Sequence, residues 1–174
     1  MQVEAMASRG TLPAKHRIAT SKPMQFATEL PTTQSGADTL QIEVPCGLIG
    51  LSHLRRFDVT PAKDAWPFVT LHALGDDELN FLAMEPQSVV PDYNLELNDY
   101  DAEILGLKNA QDALIYNIVT VHPTAKNYVT ANLVAPLVVN RHTLTGKQVI
   151  LSNSELYSAK HPLIDERDIP AAAI

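Results

Sequence analysis

Histidine and cysteine, the residue types that most often carry catalysis or hold metals, show no functional spacing in this chain. The histidines include no pair four residues apart and no two close enough for a recognisable metal motif. They are His16, His53, His72, His122, His142 and His161. Cys46 stands beside Gly47 without a nearby histidine or helix N-terminus to activate its thiol. No nucleophile elbow or glycine-rich phosphate loop occurs. These observations predict a protein that is not an enzyme and binds no metal or cofactor.

Acidic residues are concentrated in one stretch. Residues 76–112 contain ten acids and one base, Lys108. The acids are Asp76, Asp77, Glu78, Glu85, Asp92, Glu96, Asp99, Asp101, Glu103 and Asp112. Such a run is either a solvated face, or a negative field that attracts a basic protein and repels a polyanion. The sequence leaves both open, and the second predicts one continuous negative surface. The first three acids could also hold a calcium ion loosely, but a solvated hairpin tip explains them more simply.

The residues around these groups alternate between apolar and polar side chains, which predicts β-strands. Residues 67–74 and 79–84 flank a polar turn and predict a hairpin. Residues 113–121 are apolar on both faces and are expected in the middle of a sheet. Alternation predicts further strands at residues 39–44, 93–97, 128–133, 137–139 and 148–151. The one helix is expected at residues 99–107, with Asn98 as its N-cap.

Many short strands joined by turns predict a small, mainly antiparallel β domain that closes, or nearly closes, into a barrel, because closure removes exposed strand edges. The inward positions of the alternating segments give the expected core. They are Leu40, Ile42, Val69, Leu71, Ile118, Val139 and Ile150.

The composition of the chain excludes several classes of protein. The chain has 174 residues, 45% of them hydrophobic, one cysteine and a net charge of −7. It is too apolar to be disordered throughout, has no apolar stretch long enough to cross a membrane, and is too acidic to bind nucleic acid directly. A single cysteine fits a cytoplasmic protein. Residues 1–37 are poor in apolar side chains and are expected to form a disordered extension before a domain at 38–162 and a tail at 163–174.

The C-terminal half resembles the flagellar assembly factor FliW family. The resemblance lies in Thr130-Ala131-Asn132-Leu133-Val134-Ala135-Pro136-Leu137-Val138-Val139-Asn140, then Gly146-Lys147-Gln148-Val149-Ile150-Leu151, then Tyr157 and Lys160-His161-Pro162. Upstream, Gly47-Leu48-Ile49-Gly50-Leu51 is similar to the first loop of that family, although Ile49 replaces a usual proline and Leu51 a usual aromatic residue. The resemblance covers about residues 38–162.

The resemblance implies a cytoplasmic, non-enzymatic regulator with two protein partners. Family members bind flagellin as a chaperone and bind the translational regulator CsrA, which then releases the flagellin messenger. Partner contacts are expected among Asp76, Asp77, Glu78, Glu96, Asp99, Asp101, Glu103, Asn132 and Asn140. Asn132 and Asn140 are expected to form hydrogen bonds to the backbone more often than to contact a partner. Gly146 is expected in a turn that requires positive φ. The alternatives are a small-molecule-binding barrel or an enzyme with a barrel cavity, and a structural subunit of the flagellum, which no export or polymerisation feature supports.

Overall fold

The computed structural model describes residues 39–62, 65–75, 79–122 and 128–164. The predicted extension 1–37 lies outside the described residues, as do most of the predicted tail and the acids Asp76, Asp77 and Glu78. The domain boundaries therefore stay predictions. The last strand runs across the predicted domain end at residue 162.

Within the described residues, nine strands and one α-helix form the domain, and every ladder between two of these strands is antiparallel. The strands are β1 (Leu40–Glu43), β2 (Arg56–Pro61), β3 (Phe68–Ala73), β4 (Asn80–Met84), β5 (Ala113–His122), β6 (Tyr128–Ala131), β7 (Leu137–Asn140), β8 (Gly146–Gln148) and β9 (His161–Ile164). The helix α1 is Asp99–Ile104, and short 3₁₀ turns occur at Pro86–Ser88, Ala110–Asp112 and Ser154–Leu156. The mainly antiparallel fold and the hairpin of β3 and β4 are thus confirmed.

Strand β5 is the branch point of the sheet. Its first part pairs with β7, from Ala113 opposite Asn140 to Tyr116 opposite Leu137. Its second part lies between β4 and β6. The main path runs β1-β2-β3-β4-β5-β6-β9, while β7 and β8 continue from the first part of β5. A strand of ten residues is long enough to serve both arms.

The predicted closed barrel is wrong, because the described strands do not close the sheet. Strand β1 approaches the β7–β8 connection through one isolated bridge between Glu43 and Thr145, with the Glu43 N–H donating to the Leu144 carbonyl at 2.9 Å. A single bridge does not pair two strands continuously, so β1 and β9 remain at opposite ends of the main path.

Two apolar clusters form the core. One is built on β1, β2 and β3, with Leu40, Ile42 and Leu71 almost fully buried; the other includes residues that flank α1, such as Leu97 and Leu105. The predicted core residues Leu40, Ile42, Val69, Leu71 and Val139 are buried, and Ile118 is partly buried against the first cluster.

The prediction for Ile150 is wrong, since its side chain is 59% exposed. Strand β8 ends at Gln148, and the chain continues with Val149 and Leu151 turned inward. Their N–H groups donate to the carbonyls of Pro136 and Val134, at 3.0 and 3.1 Å. Alternation therefore holds here with Ile150 on the outer side. The predicted strand at residues 93–97 is also wrong: Tyr93 and Leu97 are buried, but this segment joins no ladder.

Helix α1 begins as predicted and ends earlier. The Asn98 side chain accepts from the Asp101 N–H at 2.8 Å, which confirms the N-cap. Gly106 has φ of 63°, and the N–H groups of Gly106 and Leu107 donate to the carbonyls of Glu103 and Ala102. This pair of bonds is a Schellman motif, which stops the helix at Ile104 rather than at residue 107.

Candidate partner-binding surface

The two asparagines of the C-terminal run bind backbone. Asn132 Oδ1 accepts from the N–H groups of Val134 and Ala135, both at 3.1 Å. The Asn140 amide N–H donates to the Leu105 carbonyl at 2.8 Å, and its oxygen accepts from the His142 N–H at 2.9 Å. Asn140 is 3% exposed, so it holds the end of α1 against β7 and lies below the surface.

Gly146 serves close packing rather than a left-handed turn. It is not among the residues with positive φ, whereas Leu144 of the same turn has φ of 56°. A Cβ at Gly146 would lie 2.9 Å from Val139 Cγ2 and 3.4 Å from Leu137 Cδ1. The expectation of positive φ is therefore wrong, and the glycine is required because the side chain of Val139, its partner on β7, fills the space that a Cβ would need.

A buried polar network that the sequence reasoning missed fixes the loop after β6. The Tyr93 hydroxyl donates to the Leu133 carbonyl at 2.7 Å. The Asn117 amide N–H groups donate to the Asn132 carbonyl at 2.6 Å and to the Tyr93 hydroxyl at 3.3 Å. Asn117 is fully buried in β5. An asparagine inside an otherwise apolar strand was the available signal, because a buried amide needs hydrogen-bond partners.

Three acids of the acidic stretch have structural roles. Asp101 is 6% exposed and binds the Lys147 ammonium at 2.5 Å and the Asn98 amide at 2.7 Å. The Asp112 carboxylate accepts from the Lys108 N–H at 2.9 Å, and this bond holds the pKa of that carboxyl below its usual value. Glu85 is partly buried, and burial raises its carboxyl pKa. Asp101 and Asp112 stabilise the fold through these bonds, whereas burial disfavours the charged form of Glu85, and the three side chains add little accessible negative charge.

The remaining described acids lie at or near the surface. Asp92, Asp99 and Glu103 are exposed and Glu96 is half-buried. Backbone bonds fix Glu96: its N–H donates to Asn153 Oδ1 at 3.2 Å, and its carbonyl accepts from the Ser152 N–H at 2.8 Å. Of the residues predicted to contact a partner, the structure therefore brings Asp99 and Glu103 together on one helix and places Asp101 beneath them.

Helix α1 presents two rows of side chains to solvent. Asp99 and Glu103 are four residues apart and form an acidic row. Tyr100 and Ile104 form an apolar row beside it, 67% and 51% exposed. We call these four residues the α1 face. The acidic row was named from the sequence and the apolar row was missed, although its spacing of four is visible within the acidic stretch.

Lys147 joins the α1 face to β8. Its ammonium lies 5.1 Å from the centre of the Tyr100 ring and binds the buried Asp101 carboxylate. The hydrogen bond to Asp101 raises the Lys147 pKa, so the side chain is cationic at neutral pH. A cation this close to an aromatic ring restrains the ring through cation–π attraction. The tyrosine is thus exposed but held from one side.

Metal and membrane sites do not appear in the described part of the chain. No three histidine, cysteine, aspartate or glutamate side chains of residues 39–62, 65–75, 79–122 and 128–164 are placed to hold a metal ion. Over the same residues, no helix is long and apolar enough to cross a membrane.

Fold and surface together define the class: a small antiparallel β protein with a partly apolar, partly acidic helix face. The model of the FliW protein family matches residues 25–163. The flagellar assembly factor FliW of Clostridium novyi is 39% identical over 125 residues, covering 72% of this chain and 86% of that protein. FliW of Anoxybacillus flavithermus is 40% identical over 120 residues, covering 69% and 81%.

Solved structures agree with the sequence comparison. A crystal structure of the flagellar assembly factor FliW shares 35% identity, covers 73% of this chain and 87% of that chain, and superposes with a TM-score of 0.64. The chain belongs to the FliW family. The predicted resemblance is thus confirmed, and the protein is a flagellar assembly factor by family.

Proposed function

We propose that this protein is a non-enzymatic cytoplasmic regulator that binds a CsrA-type translational regulator and also binds flagellin as a chaperone. Bound to flagellin, it leaves the regulator on the flagellin messenger. Released when flagellin is exported, it captures the regulator, and the messenger is translated. Family membership supports this proposal, and the name of the family ties it to flagellum assembly.

The observation that carries the proposal is the α1 face on a chain of net charge −7. A regulator that binds RNA presents basic surface to neutralise phosphates. Exposed carboxylates at Asp99 and Glu103 attract such a surface and repel RNA from its vicinity. Glu96 and Asn132 stay candidates for flanking contacts, and so do Asp76, Asp77 and Glu78, which lie outside the described residues. Asp101 and Asn140 serve as supports beneath the surface.

The alternative of a ligand-binding barrel is not supported, because the strands that the structure describes do not close into a barrel. The chemistry of the described residues favours recognition: the exposed groups of the α1 face are carboxylates, a phenol ring and an aliphatic side chain. None of these is arranged as a nucleophile with its base.

Binding kinetics test the proposal. Purified protein is passed over immobilised CsrA, and separately over monomeric flagellin, from the same bacterium, at low and at high salt. We expect both to bind. The D99N/E103Q variant should associate with CsrA about three- to tenfold more slowly at low salt, and the difference should shrink at high salt.

The matched control is E43Q/D58N, which removes two charges from the outer face of β1 and β2. This variant should associate with CsrA like the wild type, because neither residue belongs to the α1 face. Absence of wild-type binding to both proteins would overturn the proposed function. Equal slowing by both variants would show that only total charge matters.

A further inference from the structure

The α1 face carries exposed apolar side chains, which indicate an apolar contact with a partner in addition to the charged ones. Tyr100 and Ile104 lie one helical turn apart, and both are more than half exposed. Neighbouring Asp101 and Ala102 are buried, which fixes the rotation of the helix and forces the apolar row outward. Isolated exposed apolar residues are common on protein surfaces, but a tyrosine and an isoleucine adjacent on one helix face form a patch.

Three features distinguish Tyr100 within this patch. Tyrosine is among the residue types enriched in binding hot spots. Its ring lies 5.1 Å from the Lys147 ammonium, and that ammonium is itself fixed by the 2.5 Å bond to buried Asp101. The ring therefore loses less conformational freedom on binding than an unrestrained exposed tyrosine would. The acidic row of Asp99 and Glu103 runs along one side of it.

We propose that the α1 face is the contact surface for the RNA-binding partner, with Tyr100 as its central anchor and Lys147 as the residue that positions the Tyr100 ring. The surface of that partner carries an apolar side chain that covers Tyr100 and Ile104, beside lysine or arginine residues that meet Asp99 and Glu103. The inference rests on the proposed function. It adds that Tyr100 is the main contact residue of the α1 face and that Lys147 positions its ring.

The occupant follows from charge complementarity. A partner covering Tyr100 must come close to the carboxylates of Asp99 and Glu103, and these would repel an acidic surface. A basic surface pairs them. Charged groups at the rim then determine the association rate, whereas the apolar anchor determines the dissociation rate.

The dissociation and association rates of CsrA distinguish the role of Tyr100 from that of the two acids. The Y100A variant should dissociate about 30-fold faster, with an association rate within about twofold of the wild type. D99N/E103Q should instead associate more slowly and dissociate at about the wild-type rate. The matched control is V121A: Val121 is 55% exposed on β5 and does not belong to the α1 face. It should leave both rates unchanged.

The role of Lys147 needs a variant that leaves no unpaired buried charge. D101N/K147M removes both members of the ion pair and retains an amide beside Asn98. It should dissociate about three- to tenfold faster than the wild type. K147R retains the cation over the ring and should dissociate like the wild type. In the Y100A background D101N/K147M should have no further effect on dissociation, because the ring it positions is gone.

Each contrary outcome is distinct, provided thermal melting shows that the variants are folded. Wild-type protein that binds neither CsrA nor flagellin overturns the proposed function, and this inference with it. Wild-type binding to CsrA with unchanged dissociation of Y100A overturns the anchor alone. Faster dissociation of Y100A from flagellin but not from CsrA overturns the assigned occupant. Additive effects of Y100A and D101N/K147M overturn the positioning role.

Discussion

Two buried tyrosines should respond with opposite sign to loss of the hydroxyl group. Tyr93 is 6% exposed and Tyr116 is fully buried. The Tyr93 hydroxyl donates to the Leu133 carbonyl at 2.7 Å and accepts from Asn117. Among the described residues, the Tyr116 hydroxyl has no hydrogen-bond partner. Replacing either tyrosine by phenylalanine keeps the ring and opens no cavity, so the difference between the two variants isolates the hydroxyl.

The magnitudes follow from the cost of an unpaired buried polar group. Y93F leaves the Leu133 carbonyl without this donor, and its free energy of unfolding should fall by about 1–3 kcal/mol. Y116F removes a hydroxyl that was desolvated without compensation, so its free energy of unfolding should rise by up to about 1 kcal/mol. The two variants should therefore differ by about 1–4 kcal/mol, and at roughly 2–4 °C per kcal/mol their melting temperatures should differ by about 2–16 °C.

Urea unfolding followed by circular dichroism provides the assay, with the slope of the transition checked against the wild type. The two midpoints should lie on opposite sides of the wild-type midpoint. A Y116F variant destabilised by more than about 1 kcal/mol would show that its hydroxyl is satisfied in solution, and the reasoning about this core would be refuted.

Two further substitutions test packing and electrostatics. Gly146→Ala should lower the free energy of unfolding by about 2–3 kcal/mol, because its Cβ would lie 2.9 Å from Val139 Cγ2. Gly50→Ala, where a Cβ meets no atom within 4 Å, should lower it by only about 1 kcal/mol through its positive φ. Equal losses would contradict the packing argument. Glu85→Gln should stabilise the protein at pH 7, because burial raises the Glu85 pKa and the folded state therefore disfavours the ionised carboxylate. That gain should vanish below about pH 4, where the carboxyl is protonated in both states. Thermal melts at pH 7 and pH 3.5 check this prediction, and a gain that persists at the lower pH would refute it.

Local signals in the sequence predicted local structure well. The alternation of β1 and β3 and the Asn98 cap depend on neighbouring residues, and these features are found where they were predicted. The end of α1 was set too late, because the apolar pattern continues through Leu105 and Leu107 beyond the Gly106 turn. Ile150 was placed inside, although the alternation that turns Val149 and Leu151 inward puts it on the outer side.

Contacts between distant parts of the chain could not be read from the sequence. The two halves of β5 pair with different strands, the first with β7 and the second with β4. Strand β7 begins more than ten residues after β5 ends, so the sequence around β5 does not show this pairing. Asp101 was counted among surface acids because its partner, Lys147, is 46 residues away. The apolar row of the α1 face is different: Tyr100 and Ile104 have a helical spacing that the sequence shows, but their exposure depends on the burial of Asp101 and Ala102.

Displacement of RNA tests the central claim most directly. A fluorescently labelled flagellin leader RNA is saturated with CsrA from the same bacterium, and the protein is titrated into the complex while the anisotropy of the RNA is recorded. The account predicts that the anisotropy falls to the value of free RNA with wild-type protein, that Y100A shifts this titration to higher concentration, and that V121A does not. Anisotropy that stays at the value of the complex, at protein concentrations far above that of CsrA, would contradict it.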